Sequence, residues 1–311
     1  MLKSVKVINY RCLRDVNVPL RPLTVLVGPN DSGKTTLLHA VDSIIRNADP
    51  NEITDHWECK TQNVIRIQAE TNQGQLEIRQ ASPIREGLGL SQLFRLPSEG
   101  ITTLCHGYSA SEEAILPIGS AGERIAALLD YLLRRDRRRF TLVENQLREL
   151  IPGLVSIDIG TPSPQLRDIE LVIENGIRIR AGLTSVGLRI MLFFVVLAYH
   201  PHPPHTILLE EPENGVHPKR LADVIRLLRD LTKGKYGGHA AQVILTTHSP
   251  YLLDSVRIEE DQVLVFHRND DGSRDAKPVD AERLKDFLGE FMLGEIWYNE
   301  SEAGLVAAQP T

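Results

Sequence analysis

The chain has little of what marks several protein classes. Its three cysteines, Cys12, Cys59 and Cys105, are an odd set with no C-x-x-C spacing. That excludes a disulfide framework or a zinc knuckle and fits a reducing compartment. Long apolar runs are missing: the longest, residues 190–199, has ten residues, about half of what a membrane span needs. The first residues, MLKSVKVINY, alternate like a strand and lack the apolar block of a signal peptide. The expectation is a cytoplasmic protein with no membrane partner. No charge sign dominates: the net charge is -6 over 311 residues, so no global basic field announces nucleic acid, although a local patch is compatible with it. Internal repeats, low-complexity tracts and sustained heptads are absent, which excludes solenoids and long coiled-coil arms. The histidine-rich loop 200–205 is stiffened by proline and lacks ligand spacing, so it reads as a connector and not a metal site.

What is present centres on residues 23–38, LTVLVGPNDSGKTTLL. An apolar strand runs into a glycine-rich turn and then a helix, and Gly28, Gly33, Lys34 and Thr35 satisfy the phosphate-loop pattern G-x-x-x-x-G-K-[ST]. The two glycines allow a tight turn whose inward NH groups, with the positive end of the helix, face an anion. Asn30, Asp31, Ser32, Gly33, Lys34, Thr35 and Thr36 are the candidate phosphate-binding residues. Lys34 adds a charge at the β and γ phosphates, and the Thr35 hydroxyl is placed for a magnesium ion.

Upstream, residues 2–8 and 16–20 alternate as an antiparallel pair at an edge of the nucleotide domain; residues 63–70 and 75–80 read as a hairpin. From residue 81 the pattern changes. Residues 121–139 and 141–151 read as helices, followed by strands at 155–159, 169–173 and 176–181, and then by a helix over 186–199 that is apolar nearly all round and therefore buried. The predicted division is an ATPase core of residues 1–80 and 184–311 with an inserted, mainly helical lobe of residues 81–183. The run 134–139, RRDRRR, has two readings: a grip on phosphate backbone, or a solvated helix end.

A short buried strand, residues 206–209, delivers Glu210 and Glu211 at its C-terminal end, where open α/β sheets bind ligands. Two such carboxylates suit phosphoryl transfer to water: Glu210 for the metal, Glu211 to orient the water. A helix over 220–231, a buried strand over 241–245, a strand over 262–266, a turn over 269–272 and a helix over 281–291 complete the chain.

The ordered segments INYRCLRDVNV (8–18), GPNDSGKTT (28–36), LTSVGLR (183–189), ILLEEPENGVHP (207–218) and TTHSP (246–250) resemble the ATP-binding-cassette ATPases of the RecF, SMC and overcoming-lysogenization-defect (OLD) group, in particular its compact AAA-labelled members. The resemblance implies an α/β P-loop NTPase fold of ABC type, with a mostly parallel core sheet, an antiparallel β edge and an inserted helical lobe. It implies ATP and magnesium as cofactors, and a homodimer in which Ser185 and Gly187 of the signature segment reach the γ phosphate held by the partner. His248 corresponds to the switch histidine, and Arg11, beside Asn9 and Tyr10, to a nucleotide-flanking position. The sequence departs from the wider pattern in having Glu210 where aspartate is usual, Thr184-Ser185-Val186-Gly187 as its signature, and no aspartate in the segment 213–217. Gln62 and Gln68 are candidates for the glutamine loop.

Three functions stay open. One is an ATPase whose closure drives or regulates DNA, a nuclease or another effector; the second is an ATP-sensing scaffold for a separate effector, as in phage-defence relatives; the weaker third is a transporter subunit. The residues after Ser255 contain no Asp-x-Asp pair, so the nuclease chemistry of OLD-type toprim domains is not expected in this chain.

Overall fold

The computed structural model describes residues 1–46, 64–79, 91–96, 98–269, 271–284 and 291–306. The chain forms two compact units, Met1–Leu93 with Pro204–Pro212 and Ala241–Thr311, and Phe94–Pro203 with Glu213–Ala240. In order, the first stretch supplies β1 (Leu2–Tyr10), β2 (Leu13–Pro19), β3 (Leu23–Val27), α1 (Lys34–Arg46), β4 (Arg66–Thr71), β5 (Gly74–Arg79) and β6 (Ser91–Arg95). Next come α2 (Ser98–Ile101), β7 (Cys105–His106), α3 (Ile125–Arg135), α4 (Arg137–Leu150), β8 (Leu154–Gly160), β9 (Leu166–Ile173), β10 (Arg178–Arg180) and α5 (Val186–Ala198). They are followed by β11 (Thr206–Glu210), α6 (Pro218–Thr232), β12 (Gln242–Thr247), α7 (Pro250–Leu253), β13 (Gln262–Arg268), β14 (Arg274–Pro278), α8 (Ala281–Leu284) and α9 (Leu293–Leu305).

Among the described residues one sheet has ten strands, in the order β5-β4-β1-β2-β14-β13-β3-β12-β11-β6. Its centre, β11, β12, β3 and β13, is parallel. These strands carry no polar alternation because both faces are covered; β3 and β12 are buried at every residue, and β11 at every residue except Glu210. Helix α1 supplies Leu37, Leu38, Val41, Ile44 and Ile45 to a core shared with Val5, Val7, Ile67, Leu208, Ile244 and Phe266. Parallel pairing brings the C-terminal ends of β3, β11 and β12 to one side, which positions the site.

The antiparallel part is β5-β4-β1-β2. The antiparallel β1–β2 pair expected at an edge of the nucleotide domain belongs to this flank of the sheet, where β4 pairs with β1 and β14 pairs with β2. The hairpin expected from residue 63 begins at Arg66; Asn63, Gln62, Cys59 and the 81–90 stretch lie outside the described residues. Gln68 sits on β4 and donates to Glu77 Oε1 across the hairpin at 3.1 Å, so it is committed there.

The second unit also takes in α5 and α6, which the sequence reading assigned to the core. The strands expected within the lobe at 155–159, 169–173 and 176–181 fall on β8, β9 and β10, and with β7 they form a four-stranded sheet in which β9 pairs with β7, β8 and β10. Helix α5 is buried from Ile190 onward and its Phe193 ring meets Phe94 edge-on at 5.1 Å. The helix expected over 121–139 stops at Arg135, because Asp136 leaves the helical region and its carboxylate caps α4 at the Arg139 N–H. No helix among the described residues is long and apolar enough to cross a membrane.

Candidate active site

After β3 the chain turns at Gly28, φ 149°, where an added Cβ would lie 2.5 Å from the Phe266 carbonyl oxygen; only glycine fits. The loop then passes through Asp31, φ 60°, and enters α1 at Lys34. The predicted residues Asn30 to Thr36 all line one pocket of about 250 Å³, together with Glu211, His248 and Cys12. Lys34 is buried, and its ammonium stays hydrogen-bonded by donating to the carbonyls of Gly28 (2.9 Å) and Pro29 (2.7 Å).

Two carboxylate pairs flank this loop. The Thr35 hydroxyl donates to Glu210 Oε1 at 2.7 Å, so the two residues predicted to hold magnesium converge. They are hard oxygen donors, and a magnesium site on a nucleotide needs only one or two such protein groups beside phosphate oxygens and water; the pair therefore fits the ion. Glu211 Oε1 lies 2.8 Å from His248 Nε2. Glu211 has φ 45°, a left-handed conformation that costs a non-glycine residue about 1–2 kcal/mol. It also precedes Pro212, which normally drives a residue toward extended backbone. Its N–H donates to the Thr246 hydroxyl at 3.1 Å. His248 follows β12, and Ser249 caps α7 by accepting from the Leu252 N–H, which fixes where the chain turns away.

The other predicted residues are not among those lining this pocket. Arg11, φ 51°, stacks over Tyr10 at 5.1 Å and is not among the side chains lining the pocket; its neighbour Cys12 is, with Sγ 3.4 Å from Thr36 Oγ1. Ser185 and Gly187 belong to the second unit. Ser185 Oγ accepts from the Leu188 N–H at 3.3 Å and caps α5. An added Cβ on Gly187 would meet the Gly215 carbonyl oxygen at 2.9 Å, so close packing alone demands glycine there. Sequence reasoning missed Cys12, Thr246 and Arg274. Arg274 donates through Nε to the Asp31 carbonyl (2.6 Å) and through Nη2 to its carboxylate (2.8 Å). No sequence signal marks Arg274; Thr246 was visible only as part of the TTHSP run.

A strand–loop–helix phosphate cradle facing a strand that ends in two carboxylates defines the class, a P-loop ATPase domain. Two family profiles match in succession: "AAA ATPase domain" over residues 1–91 and "AAA domain, putative AbiEii toxin, Type IV TA system" over residues 107–254. An OLD nuclease of Thermus scotoductus is 51% identical over 51 residues, which is 16% of this chain and 10% of that protein's length. Among solved structures, an SMC head bound to the C-winged helix domain of ScpA matches with TM-score 0.58 at 14% identity, covering 91% of this chain and 99% of that one. An SMC head domain with an extended coiled coil, bound to the C-terminal domain of ScpA derived from Pyrococcus furiosus, matches with TM-score 0.53 at 12% identity over 93% and 98%. At these identities the structures show the fold. Together the matches give AAA-type ATPase domains over residues 1–91 and 107–254, a short stretch similar to an OLD nuclease, and the fold of SMC heads.

Proposed function

We propose that this chain binds ATP with magnesium and hydrolyses it, and that two copies close on the nucleotide to drive or regulate a DNA-linked or defence-related partner, such as a separate nuclease or other effector. The observation that carries the reading is the convergence, at one sheet edge, of Lys34, the Thr35–Glu210 pair and the Glu211–His248 pair. In this reading the loop amides and the α1 N-terminus receive the phosphates, and Lys34 exchanges its loop carbonyls for phosphate oxygens. Thr35 and Glu210 would hold magnesium, which supplies positive charge against the β and γ phosphates. His248 orients the Glu211 carboxylate, which in this reading accepts a hydrogen bond from the attacking water and aims it at the terminal phosphorus.

Ser185, at the capped start of α5, would meet the partner's γ phosphate through the helix N-terminus. Support comes from its flanks: Leu183 is 80% exposed and Val186 39%, an apolar pair beside a helix start. A two-fold dimer would use this surface twice.

The ATP-sensing scaffold is the second reading. It is favoured by Glu210, whose longer side chain engages Thr35 directly at 2.7 Å. Glu211→Gln separates the two. For an ATPase it should lower turnover by at least about 100-fold while ATP still binds and a dimer accumulates in analytical ultracentrifugation. Parent turnover no faster than the variant's, with ATP still driving association, selects the scaffold. Rapid hydrolysis by Glu211→Gln at the parent rate removes Glu211 from its role.

A further inference from the structure

The geometry points to Thr246 as the positioning residue that holds Glu211 in its hydrolytic pose, an inference that rests on the role given to Glu211 above. Glu211 combines a left-handed φ of 45° with a following proline, so nothing in its own sequence favours its conformation. An outside tether has to fix it. The paired register of β11 with β12 ends at Leu209 opposite Leu245. One residue further along β12, the Thr246 hydroxyl accepts the Glu211 N–H at 3.1 Å, extending the connection beyond the last paired residues.

Thr246 is suited to that task. It is 1% exposed, its backbone is pinned by pairing with Leu26 of β3, and a β-branched side chain in a strand has few rotamers. Two residues later His248 meets the other end of Glu211, the carboxylate, at 2.8 Å. Residues two apart in extended chain project to the same side. Thr246 and His248 thus form a two-point clamp from one segment, Thr246 on the amide of Glu211 and His248 on its carboxylate. Thr246 is buried and is not among the residues lining the phosphate-loop pocket, so it acts through Glu211.

The decisive comparison is Thr246→Val against Thr246→Ser. Valine keeps shape and burial but cannot accept the Glu211 N–H, so Glu211 is free to relax toward extended backbone. We expect kcat about tenfold lower or more, with ATP affinity and ATP-driven dimerisation unchanged because the phosphate loop is untouched. Serine retains the acceptor and should recover most of the rate. In the Glu211→Gln background Thr246→Val should cause no further loss, since both act at one group. Should the valine variant not fold, Thr246→Ala against Thr246→Ser gives the same readout, as those two differ only by the hydroxyl. Parent-like hydrolysis by Thr246→Val, serine and alanine equally impaired, or losses additive with Glu211→Gln would each overturn the inference. Hydrolysis that survives Glu211→Gln defeats the reading of Glu211 itself. Hydrolysis lost in Glu211→Gln but kept in Thr246→Val defeats only the positioning role.

Discussion

Arg274 makes two bonds to Asp31 that differ in worth. The Asp31 side chain is 83% exposed, so its ion pair with the guanidinium is screened and contributes about 0–1 kcal/mol. The bond from Nε to the Asp31 carbonyl is made by a largely buried cation, and hydrogen bonds to charged groups contribute about 1.5–3 kcal/mol. The carbonyl contact therefore does most to hold Asp31 in its left-handed turn. Arg274→Ala should weaken ATP binding about tenfold by lowering the population of the preformed loop, and Asp31→Ala should cost less; calorimetric titration with ATP checks both, with melting temperature as the control. Equal affinities in parent and Arg274→Ala would show that the loop holds its shape without the strap. At this scale the phosphate loop was legible because Gly28, Gly33, Lys34 and Thr35 are adjacent in sequence and their chemistry admits few substitutes. Arg274 was not: it is 243 residues from Asp31, and only the β13–β14 hairpin and the pairing of Arg274 with Leu13 bring it there.

Elements were legible where one local signal dominated. β3, β11 and β12 are short, mostly apolar runs without polar alternation, and the Thr71–Gly74 turn announces its hairpin; the Thr71 hydroxyl donates to the Gly74 carbonyl at 2.8 Å. β14, with sequence RDAKP, has no apolar alternation and is recruited by its neighbour β13. The α3–α4 break hid inside RRDRRR, where the one acid becomes an N-cap and Arg139 turns to the carbonyls of Tyr199 and Tyr236. That arginine is structural. The connector after α5 holds another hidden element. His200 is buried; its Nε2–H donates to the Leu116 carbonyl at 2.8 Å and its Nδ1 accepts the His202 N–H at 3.0 Å, which requires the neutral ring. Burial lowers its pKa from an ordinary 6.5 to about 4. The unfolded chain therefore binds this proton first as pH falls. Stability from this group is intact above about 6.5 and declines between about 6.5 and 4, by up to about 1.4 kcal/mol per pH unit. Urea unfolding at pH 7.5 and 5 should show that loss in the parent and a smaller one in His200→Gln; identical slopes would remove His200 as the cause.

For the whole molecule, association is the property most open to test. Leu183 at 80% exposure is an unusual apolar residue to leave in water beside Ser185. Buried twice in a two-fold interface, each copy would contribute about 1.5–3 kcal/mol. Leu183→Asp in the Glu211→Gln background should weaken the ATP-bound dimer at least about 100-fold and leave ATP binding intact, as read by sedimentation and titration. A dimer of unchanged strength would move the interface away from α5. The signature segment was readable as a motif, whereas its grouping with α6 was not, since residues 184–203 and 213–240 join the second unit through packing that no local pattern encodes.

The segment that carries both glutamates enters the first unit at Pro204 and leaves it at Pro212, with chain of the second unit on either side in sequence. Neither unit is a continuous stretch of gene. Removing the continuous block from Phe94 to Ala240 would delete β11, uncover the flank of β12 and leave the phosphate loop without Glu210 and Glu211. On the reading proposed above, a fragment lacking that block would keep the loop that grips a nucleotide and lose the acids assigned to splitting it, so the two capacities travel together only when both proline crossings survive.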